Sequence, residues 1–217
     1  MKNIIHPGIK AVKKYTFFLI ISIIALVIWI TGTNEKLFFT INSYHTLLPV
    51  FYWNFINDFA SPMHVILPLI LLVLTLCFRR EKWLNVVLLI ITYYVIFELL
   101  KISIHSPRPH MAYDPHTFFW VPLADSSITK FTANQSFPSG HAGNAGIFVF
   151  ALIRLFAKNK IWLHILLLAF LVLVMVTRIC TGWHFPLDVL CSVLISFILT
   201  ELCWRIPSRS NRVNKKR

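Results

Sequence analysis

Six long apolar segments divide this chain, and they constrain its fold more than any other feature. A helix needs about 20 mainly apolar residues to cross a bilayer, and each segment comes close to that length. Because lipid offers the backbone no hydrogen-bond partner, such a segment folds as a helix whose peptide groups pair internally. We predict an all-α, polytopic membrane protein with six transmembrane helices at residues 15–30, 62–78, 83–100, 139–157, 161–177 and 184–204.

The composition agrees with a membrane protein that has no separate soluble domain. Of the 217 residues, 57% are hydrophobic and 13% are charged, and the mean hydropathy is +0.71. Soluble domains typically contain a smaller share of apolar residues and a larger share of charged residues than this chain does. We therefore predict one membrane-embedded domain over residues 1–217. It has a short interfacial helix in the aromatic segment 35–61, where rings prefer the headgroup level, an outward loop at 102–137 and a basic tail at 207–217.

The positions of the basic residues indicate topology. The net charge of +13 would suit a nucleic-acid-binding protein, but four basic residues precede the first span, three lie between the second and third, three close the fourth and six follow the sixth. If the spans alternate, these 16 of the 21 basic residues share one side, which the positive-inside rule makes cytoplasmic. We expect a multi-pass protein of the bacterial inner membrane, with both termini cytoplasmic and no nucleic-acid partner. The first span lacks a small-residue cleavage site, so we predict an uncleaved anchor.

The sequence predicts neither a metal site nor a disulfide framework. Its four cysteines fall within or at the ends of apolar segments, and none forms a CxxC pair. His105, His110 and His116 lie in the outward loop, but their spacing matches no usual metal-ligand pattern. We expect solvated loop histidines and no cofactor.

Three short polar patterns interrupt the apolar sequence at span ends. They are Lys101 with Arg108-Pro109, then Pro138-Ser139-Gly140-His141, and then Arg178 with His184 and Asp188. Ionisable groups at a membrane boundary are costly to keep, and therefore suggest a functional site. Spans three and five end, and spans four and six begin, on the same non-cytoplasmic face. The topology therefore predicts that the three patterns meet there.

The residue types suit phosphoryl transfer, in which catalysis depends mostly on positioning and charge stabilisation. The cations Lys101, Arg108 and Arg178 would neutralise phosphate oxygens. Ser139 is a good helix N-cap, and the free backbone N–H groups that follow, beginning at Gly140, form an anion site at a helix start.

Two histidines and one carboxylate supply the remaining chemistry. If a helix begins near His184, Asp188 lies one turn further on the same face and could accept a hydrogen bond from one imidazole nitrogen. The other nitrogen of His184 could then attack phosphorus to form a phosphohistidine. His141 would protonate the leaving oxygen and later deprotonate water.

Taken together, the three patterns resemble the signature of the type 2 phosphatidic acid phosphatase superfamily, which includes bacterial acid phosphatases and vanadium haloperoxidases. The resemblance covers residues 101–188, and the six-span layout is similar to the membrane branch of the family. It departs at Thr177, where the family usually has serine. The resemblance implies the same roles: His184, His141 and Asp188 as catalytic residues, and Lys101, Arg108, Ser139, Gly140 and Arg178 as phosphate-binding residues.

Each of the three polar patterns, taken alone, also has a purely structural interpretation. Lys101 could be a snorkelling anchor that pairs with Glu98 three residues earlier, and the Ser139 pattern could be a plain helix cap. Trp183 could line the pocket or anchor its helix. The coincidence of all three patterns favours the catalytic interpretation.

We expect a metal-independent phosphatase whose substrate is a membrane lipid bearing a phosphate monoester or pyrophosphate. The resemblance implies lipid A phosphate and undecaprenyl pyrophosphate as slightly favoured substrates, with phosphatidylglycerophosphate and phosphatidic acid as further candidates. A lipid-to-lipid phosphotransferase would use the same site. A polyanion transporter or channel would use the same cations along a path, but it would require charged or broken helices near the midplane. A haloperoxidase or an inactive lipid binder would share the fold without this chemistry.

Overall fold

The computed structural model describes residues 7–121, 133–157 and 160–207. The predicted all-α fold is confirmed over these ranges, which contain helices and no strand. Lys130, Lys158 and the basic tail from residue 208 onward lie outside the described residues.

The helices follow one another with short connections. Their bounds are α1 Pro7–Thr31, α2 Asn34–Asn42, α3 Val50–Ala60, α4 Ile66–Phe78, α5 Trp83–Ile104, α6 Pro109–Ala112, α7 Gly140–Phe156, α8 Ile161–Cys180 and α9 Pro186–Arg205. Short 3₁₀ turns occupy Ser43–Leu47, Arg80–Lys82 and Pro115–Thr117.

Each predicted span coincides with an apolar helix. Among the described residues, three stretches are long and apolar enough to cross a membrane: Arg80–Ala112, Ile161–Cys180 and Pro186–Arg205. A fourth candidate is a pair bent by 112°, Tyr15–Thr31 with Asn34–Leu47, and the helices α4 and α7 are apolar but shorter. The protein is therefore a helical membrane protein, and the count of six crossings stays a prediction.

For the second and sixth spans the predicted helix start lies too early in the chain, in each case because of backbone geometry. The second span begins at Ile66 and not at residue 62, since Val65 adopts a left-handed conformation with φ 54°. The sixth helix begins at Pro186 and not at His184. Proline lacks an N–H donor and has a fixed φ, which suits the first helical position. His184 and Asp188 therefore do not share a helix face, because His184 lies in the turn before α9.

The aromatic segment 35–61 forms two short helices and not one. Helix α2 turns sharply from α1, and α3 follows after the 3₁₀ turn. Phe38 and Trp53 are buried against the bundle, whereas Phe51 and Phe55 are exposed. One side of this segment thus packs on the protein and the other remains apolar, as expected near the headgroups.

Helix α7 packs against α9 through small residues. A Cβ on Gly146 would lie only 2.7 Å from the Cβ of Ser196, so this close approach requires glycine. The Ser196 hydroxyl donates to the Gly143 carbonyl at 2.9 Å. Small residues let membrane helices approach closely in this way. The packing fixes the start of α7 beside the turn between α8 and α9.

Candidate active site

The turn between α8 and α9 carries the nucleophile candidate. The backbone N–H groups of Trp183 and His184 donate to the Arg178 carbonyl, at 3.1 Å and 3.3 Å. Gly182 makes the turn possible with φ +74°, a conformation that favours glycine. The backbone therefore ties Arg178 and His184 together although six positions separate them.

His184 and Asp188 are connected through a serine. His184 Nδ1 lies 3.9 Å from Asp188 Oδ2, which is too long for a hydrogen bond. Ser136 Oγ donates to Asp188 Oδ2 at 2.6 Å and lies 3.5 Å from His184 Nδ1. Because its one hydroxyl proton goes to the carboxylate, Ser136 can only accept from the imidazole. The pattern assigns the proton of a neutral His184 to Nδ1 and leaves a lone pair on Nε2.

Arg108 lies on the other side of the imidazole. Its Nη1 is 3.3 Å from His184 Nε2 and 3.2 Å from the Trp183 carbonyl, and its guanidinium lies 4.9 Å from the centre of the Trp183 ring. Two backbone hydrogen bonds fix this loop: Arg108 N–H donates to the Ala133 carbonyl, and Ser136 N–H donates to the Ser106 carbonyl, both at 2.9 Å. The same loop pairing thus positions a cation and the serine around His184.

Arg178 is a buried cation with unused donors. The residue is 3% exposed, and its Nε and Nη1 have no hydrogen-bond partner within the part of the chain that the structure describes. The guanidinium lies 5.6 Å from the Trp183 ring centre, so Trp183 contacts both arginines. Buried donors of this kind are costly unless a ligand accepts from them. An oxyanion such as phosphate would satisfy them, since its oxygens match a guanidinium fork.

The start of α7 supplies a further anion-binding element. Ser139 caps the helix as predicted, its Oγ accepting from Ala142 N–H at 3.5 Å. Tyr93 donates its hydroxyl to the Gly140 carbonyl at 2.6 Å. Lys101 Nζ lies 3.7 Å from the position that a Cβ would take on Gly140. A lysine therefore lies beside the N–H groups of a helix start, which together favour an anion.

Lys101 also pairs with Glu98, as predicted. Its Nζ donates to Glu98 Oε1 at 2.9 Å. The carboxylate is 57% exposed, so its loss of this partner to a bound phosphate would cost little. The structural and phosphate-binding interpretations of Lys101 are thus compatible.

His141 follows Gly140 in the first turn of α7. Its imidazole is close enough to Arg178, Arg108 and Lys101, and to His184, for charge–charge interactions with them. The structure thus brings all eight predicted site residues to the end of the bundle where α5 and α8 end and α7 and α9 begin.

The environment of His184 favours neutral imidazole. Burial lowers the pKa of His184 well below its usual 6.5, and the positive charges of Arg108 and Arg178 lower it further. A hydrogen bond with the Ser136 backbone raises the pKa of His184, but this effect is smaller than the others. A neutral ring with an unprotonated Nε2 is the form that a nucleophile needs, and here that nitrogen accepts from Arg108 until a phosphoryl oxygen takes over the donor.

Sequence reasoning missed Ser136 and left Trp183 undecided. Ser136 is fully buried, yet no short-range pattern links it to residues about 50 positions later. Trp183 both lines the site and anchors a loop, since its Nε1 donates to the Val121 carbonyl at 2.9 Å. His110 is stacked on Trp120 at 4.6 Å and not solvated as expected. Among the described residues, no three His, Cys, Asp or Glu side chains cluster as a metal site would require.

The Thr177 hydroxyl does not point to the phosphate-binding atoms. It donates to the Leu173 carbonyl of its own helix at 2.8 Å, and the Thr177 carbonyl accepts from the Thr181 hydroxyl at 2.7 Å. The departure from serine at this position is accommodated within α8.

Comparison with known families identifies the class of protein. The model of the PAP2 superfamily matches residues 82–212, and the chain belongs to this superfamily. That stretch contains every residue of the site described above.

Individual relatives are similar over shorter stretches. The chain is 32% identical over 111 residues to the undecaprenyl-diphosphatase BcrC of Bacillus subtilis, covering 51% of this chain and 50% of that protein. It is 33% identical over 92 residues to a lipid A 1-phosphatase of Rhizobium johnstonii, covering 42% and 34%. The matched region thus spans half or less of these relatives.

Two solved structures have the same fold. The crystal structure of Aquifex aeolicus LpxE has a TM-score of 0.64 and 27% identity, covering 79% of this chain and 94% of that one. That of a transmembrane PAP2 type phosphatidylglycerolphosphate phosphatase from Bacillus subtilis has a TM-score of 0.61 and 23% identity, covering 89% and 95%.

Proposed function

We propose that this protein is a lipid phosphatase that hydrolyses a phosphate monoester or pyrophosphate through a phosphohistidine on His184. The observation that carries the proposal is the pairing of a neutral His184 with two buried arginines. Its Nε2 lone pair lies beside Arg108, and Arg178 offers unsatisfied donors nearby. A phosphoryl group held by the arginines would present its phosphorus to that lone pair.

The reaction follows from the roles of three side chains. His184 Nε2 forms a bond to phosphorus while the bond from phosphorus to the lipid oxygen breaks, and His141 gives that oxygen a proton. A water molecule then attacks phosphorus, His141 takes its proton, and the bond between nitrogen and phosphorus breaks. Asp188 stabilises the positive imidazole of the intermediate through Ser136.

The cations of the site would supply the charge stabilisation. Lys101, Arg108 and Arg178 converge with the N–H groups at Gly140, so non-bridging oxygens would find donors from several directions. Preorganised donors of this kind are commonly the largest contribution to catalysis. The proposed mechanism therefore needs no metal ion, and activity in the presence of a chelator tests this directly.

The setting favours a lipid substrate. The site lies at one end of an apolar helical bundle, beside the aromatic helices α2 and α3. Two relatives are named as an undecaprenyl-diphosphatase and a lipid A 1-phosphatase. We propose undecaprenyl pyrophosphate or lipid A phosphate as the first substrates to test. We also propose that the protein lies in the inner membrane with cytoplasmic termini and an extracytoplasmic site, because Arg79, Lys82, Arg154 and Lys160 lie together at the other end.

The deciding experiment measures phosphate release by purified protein in detergent containing chelator. Undecaprenyl pyrophosphate, lipid A, phosphatidylglycerophosphate and phosphatidic acid are offered separately to the wild type and to His184→Ala. His164→Ala is the matched control, since the Nδ1 of that histidine bonds to the Lys160 carbonyl at the far end of α8 from His184. We expect release by the wild type and the control, and an acid-labile phosphoenzyme that is absent from His184→Ala.

Two results would contradict the proposal. Equal release by His184→Ala would show that another group is the nucleophile. Absence of release from every lipid, with phosphate transfer to an added acceptor lipid, would identify a phosphotransferase.

A further inference from the structure

Two adjoining cavities lie at the end of the bundle opposite His184. The first, of about 400 Å³, lies between the start of α5 and the ends of α7 and α9. Its charged lining consists of four cations and one acid: Arg79, Lys82, Arg154, Lys160 and Glu81. Helix α5 has 22 residues, which places this cavity about 30 Å from the candidate active site.

The second cavity is apolar and continues from the first. It measures about 430 Å³ and is lined by Leu74, Phe78, Phe156 and Arg79. Arg79 and Phe156 belong to both cavities, so a charged compartment and a hydrocarbon compartment share one wall. A headgroup joined to an acyl chain presents the same two chemistries side by side.

The two arginines of the first cavity are held in place by the protein. Arg79 Nε donates to the Leu155 carbonyl at 3.2 Å, and its guanidinium lies 5.9 Å from the Phe156 ring centre. Arg154 Nη2 pairs with Glu201 at 2.9 Å, while its buried Nε has no hydrogen-bond partner among residues 7–121, 133–157 and 160–207. The cavity therefore combines fixed guanidinium groups with an unsatisfied donor, which an anion would satisfy.

We propose that this end of the protein binds an anionic glycerophospholipid. The phosphodiester lies among Arg79, Arg154, Lys82 and Lys160, and one acyl chain lies along Leu74 and Phe78. Basic pockets between transmembrane helices recognise lipid headgroups in this way. In the topology proposed above the lipid belongs to the cytoplasmic leaflet. The site is independent of the phosphatase chemistry.

The test is native mass spectrometry of the purified full-length protein, titrated with phosphatidylglycerol or with phosphatidylcholine. The variants are Arg79→Gln and its neighbour Arg80→Gln. Arg80 has the same charge and is exposed, as Arg79 is, but it lines neither cavity, so it controls for the general attraction of basic residues to anionic lipid. Loss of one such general attraction lowers affinity about fivefold.

We expect the wild type to retain phosphatidylglycerol in preference to phosphatidylcholine. Arg79→Gln should weaken retention about seventyfold, because a charged hydrogen bond is lost as well, and Arg80→Gln by fivefold or less. Equal effects of the two variants would overturn the proposal in favour of a diffuse basic surface. Retention of inorganic phosphate as strong as that of the lipid would also overturn it, since the acyl chain would then contribute nothing. Phosphatase activity is not the readout, so failure of the proposed function leaves this test unchanged.

Discussion

Ser136 bridges His184 and Asp188. Its hydroxyl lies 2.6 Å from Asp188 Oδ2 and 3.5 Å from His184 Nδ1, whereas the imidazole and the carboxylate are 3.9 Å apart. Asp188 also accepts from the Phe185 N–H at 2.9 Å, so the carboxylate is oriented from two sides. The carboxylate thus reaches the imidazole through a side chain from the loop before α7.

Replacing Ser136 with alanine should therefore lower kcat about 10–100-fold while leaving KM nearly unchanged. Loss of the bridge lets the imidazole turn, and small misplacements of a reacting group have effects of this size. The same kinetics on Ser103→Ala provide the control, because that hydroxyl is exposed and bonds to the Leu99 carbonyl of its own helix. Combined with Asp188→Asn, Ser136→Ala should add little, since both act through one connection. Additive losses would show that the serine acts elsewhere.

Replacing Arg178 with methionine should abolish binding of orthovanadate, an anion that resembles phosphate, and raise the thermal midpoint of the ligand-free protein. Arg178 is a buried cation near Arg108, with unsatisfied Nε and Nη1, so its removal relieves an unfavourable burial. In the wild type, orthovanadate at about 100 times its Kd should add about 2.7 kcal/mol of stability.

Arg154→Met is the matched control for that measurement. Arg154 is only partly buried and pairs with Glu201 at 2.9 Å, so its loss should lower the midpoint and leave vanadate binding intact. A lower midpoint for both variants would mean that Arg178 is a structural cation.

The activity should persist on acidification past the usual pKa of histidine. Because burial and the neighbouring arginines hold the pKa of His184 well below 6.5, the acidic limb of kcat/KM should lie below that value. Arg108→Gln removes one of these charges and should move the limb toward neutral pH. A limb that stays in place in this variant would exclude His184 as the titrating group.

The lowered pKa of His184 should also make the stability of the folded protein fall as the pH falls. As the pH falls below about 6.5, the unfolded chain takes up a proton on His184 before the folded protein does, so folding loses stability. His184→Gln should reduce the fall of the thermal midpoint between about pH 6.5 and 5, whereas His164→Ala should leave it unchanged. No difference between the wild type and His184→Gln would show that His184 titrates alike in both states.

Alanine at Gly182 should both destabilise the protein and reduce its activity. Gly182 has φ +74°, and a Cβ there would lie 2.7 Å from the Phe119 carbonyl oxygen and 2.8 Å from Phe118 Cε2. The left-handed conformation and the clash together cost about 2–4 kcal/mol, or roughly 5–15 °C in thermal midpoint. The turn that holds His184 would shift with it.

The variant Gly32→Ala separates the cost of the left-handed backbone conformation from the cost of the steric clash. Gly32 also has positive φ, +64°, but nothing lies within 4 Å of its Cβ position. This variant should lose about 1 kcal/mol and keep its activity. An equal loss of stability in Gly182→Ala and Gly32→Ala would show that Phe118 and Phe119 can move away from the added Cβ at no energetic cost.

The sequence alone predicted the all-α membrane fold and the residues that would meet. Apolar segments of spanning length have one way to satisfy their backbone in lipid, and alternation of the spans puts Lys101, His141, Arg178 and His184 at one end. These inferences need only local composition and the order of the segments. The same reasoning located Ser139 as a cap, because capping depends on adjacent residues.

The tertiary structure decided how those residues touch. Whether a carboxylate reaches an imidazole directly or through Ser136 depends on the path of a loop 48 positions away, and no periodicity records that path. Pro186 delayed the start of α9 by two residues, which removed His184 from the helix face that the pattern had predicted. The length of an apolar segment can be read from that segment alone. Whether two side chains form a hydrogen bond depends on differences of a few tenths of an ångström in the distance between their atoms, and the packing of separate segments determines that distance.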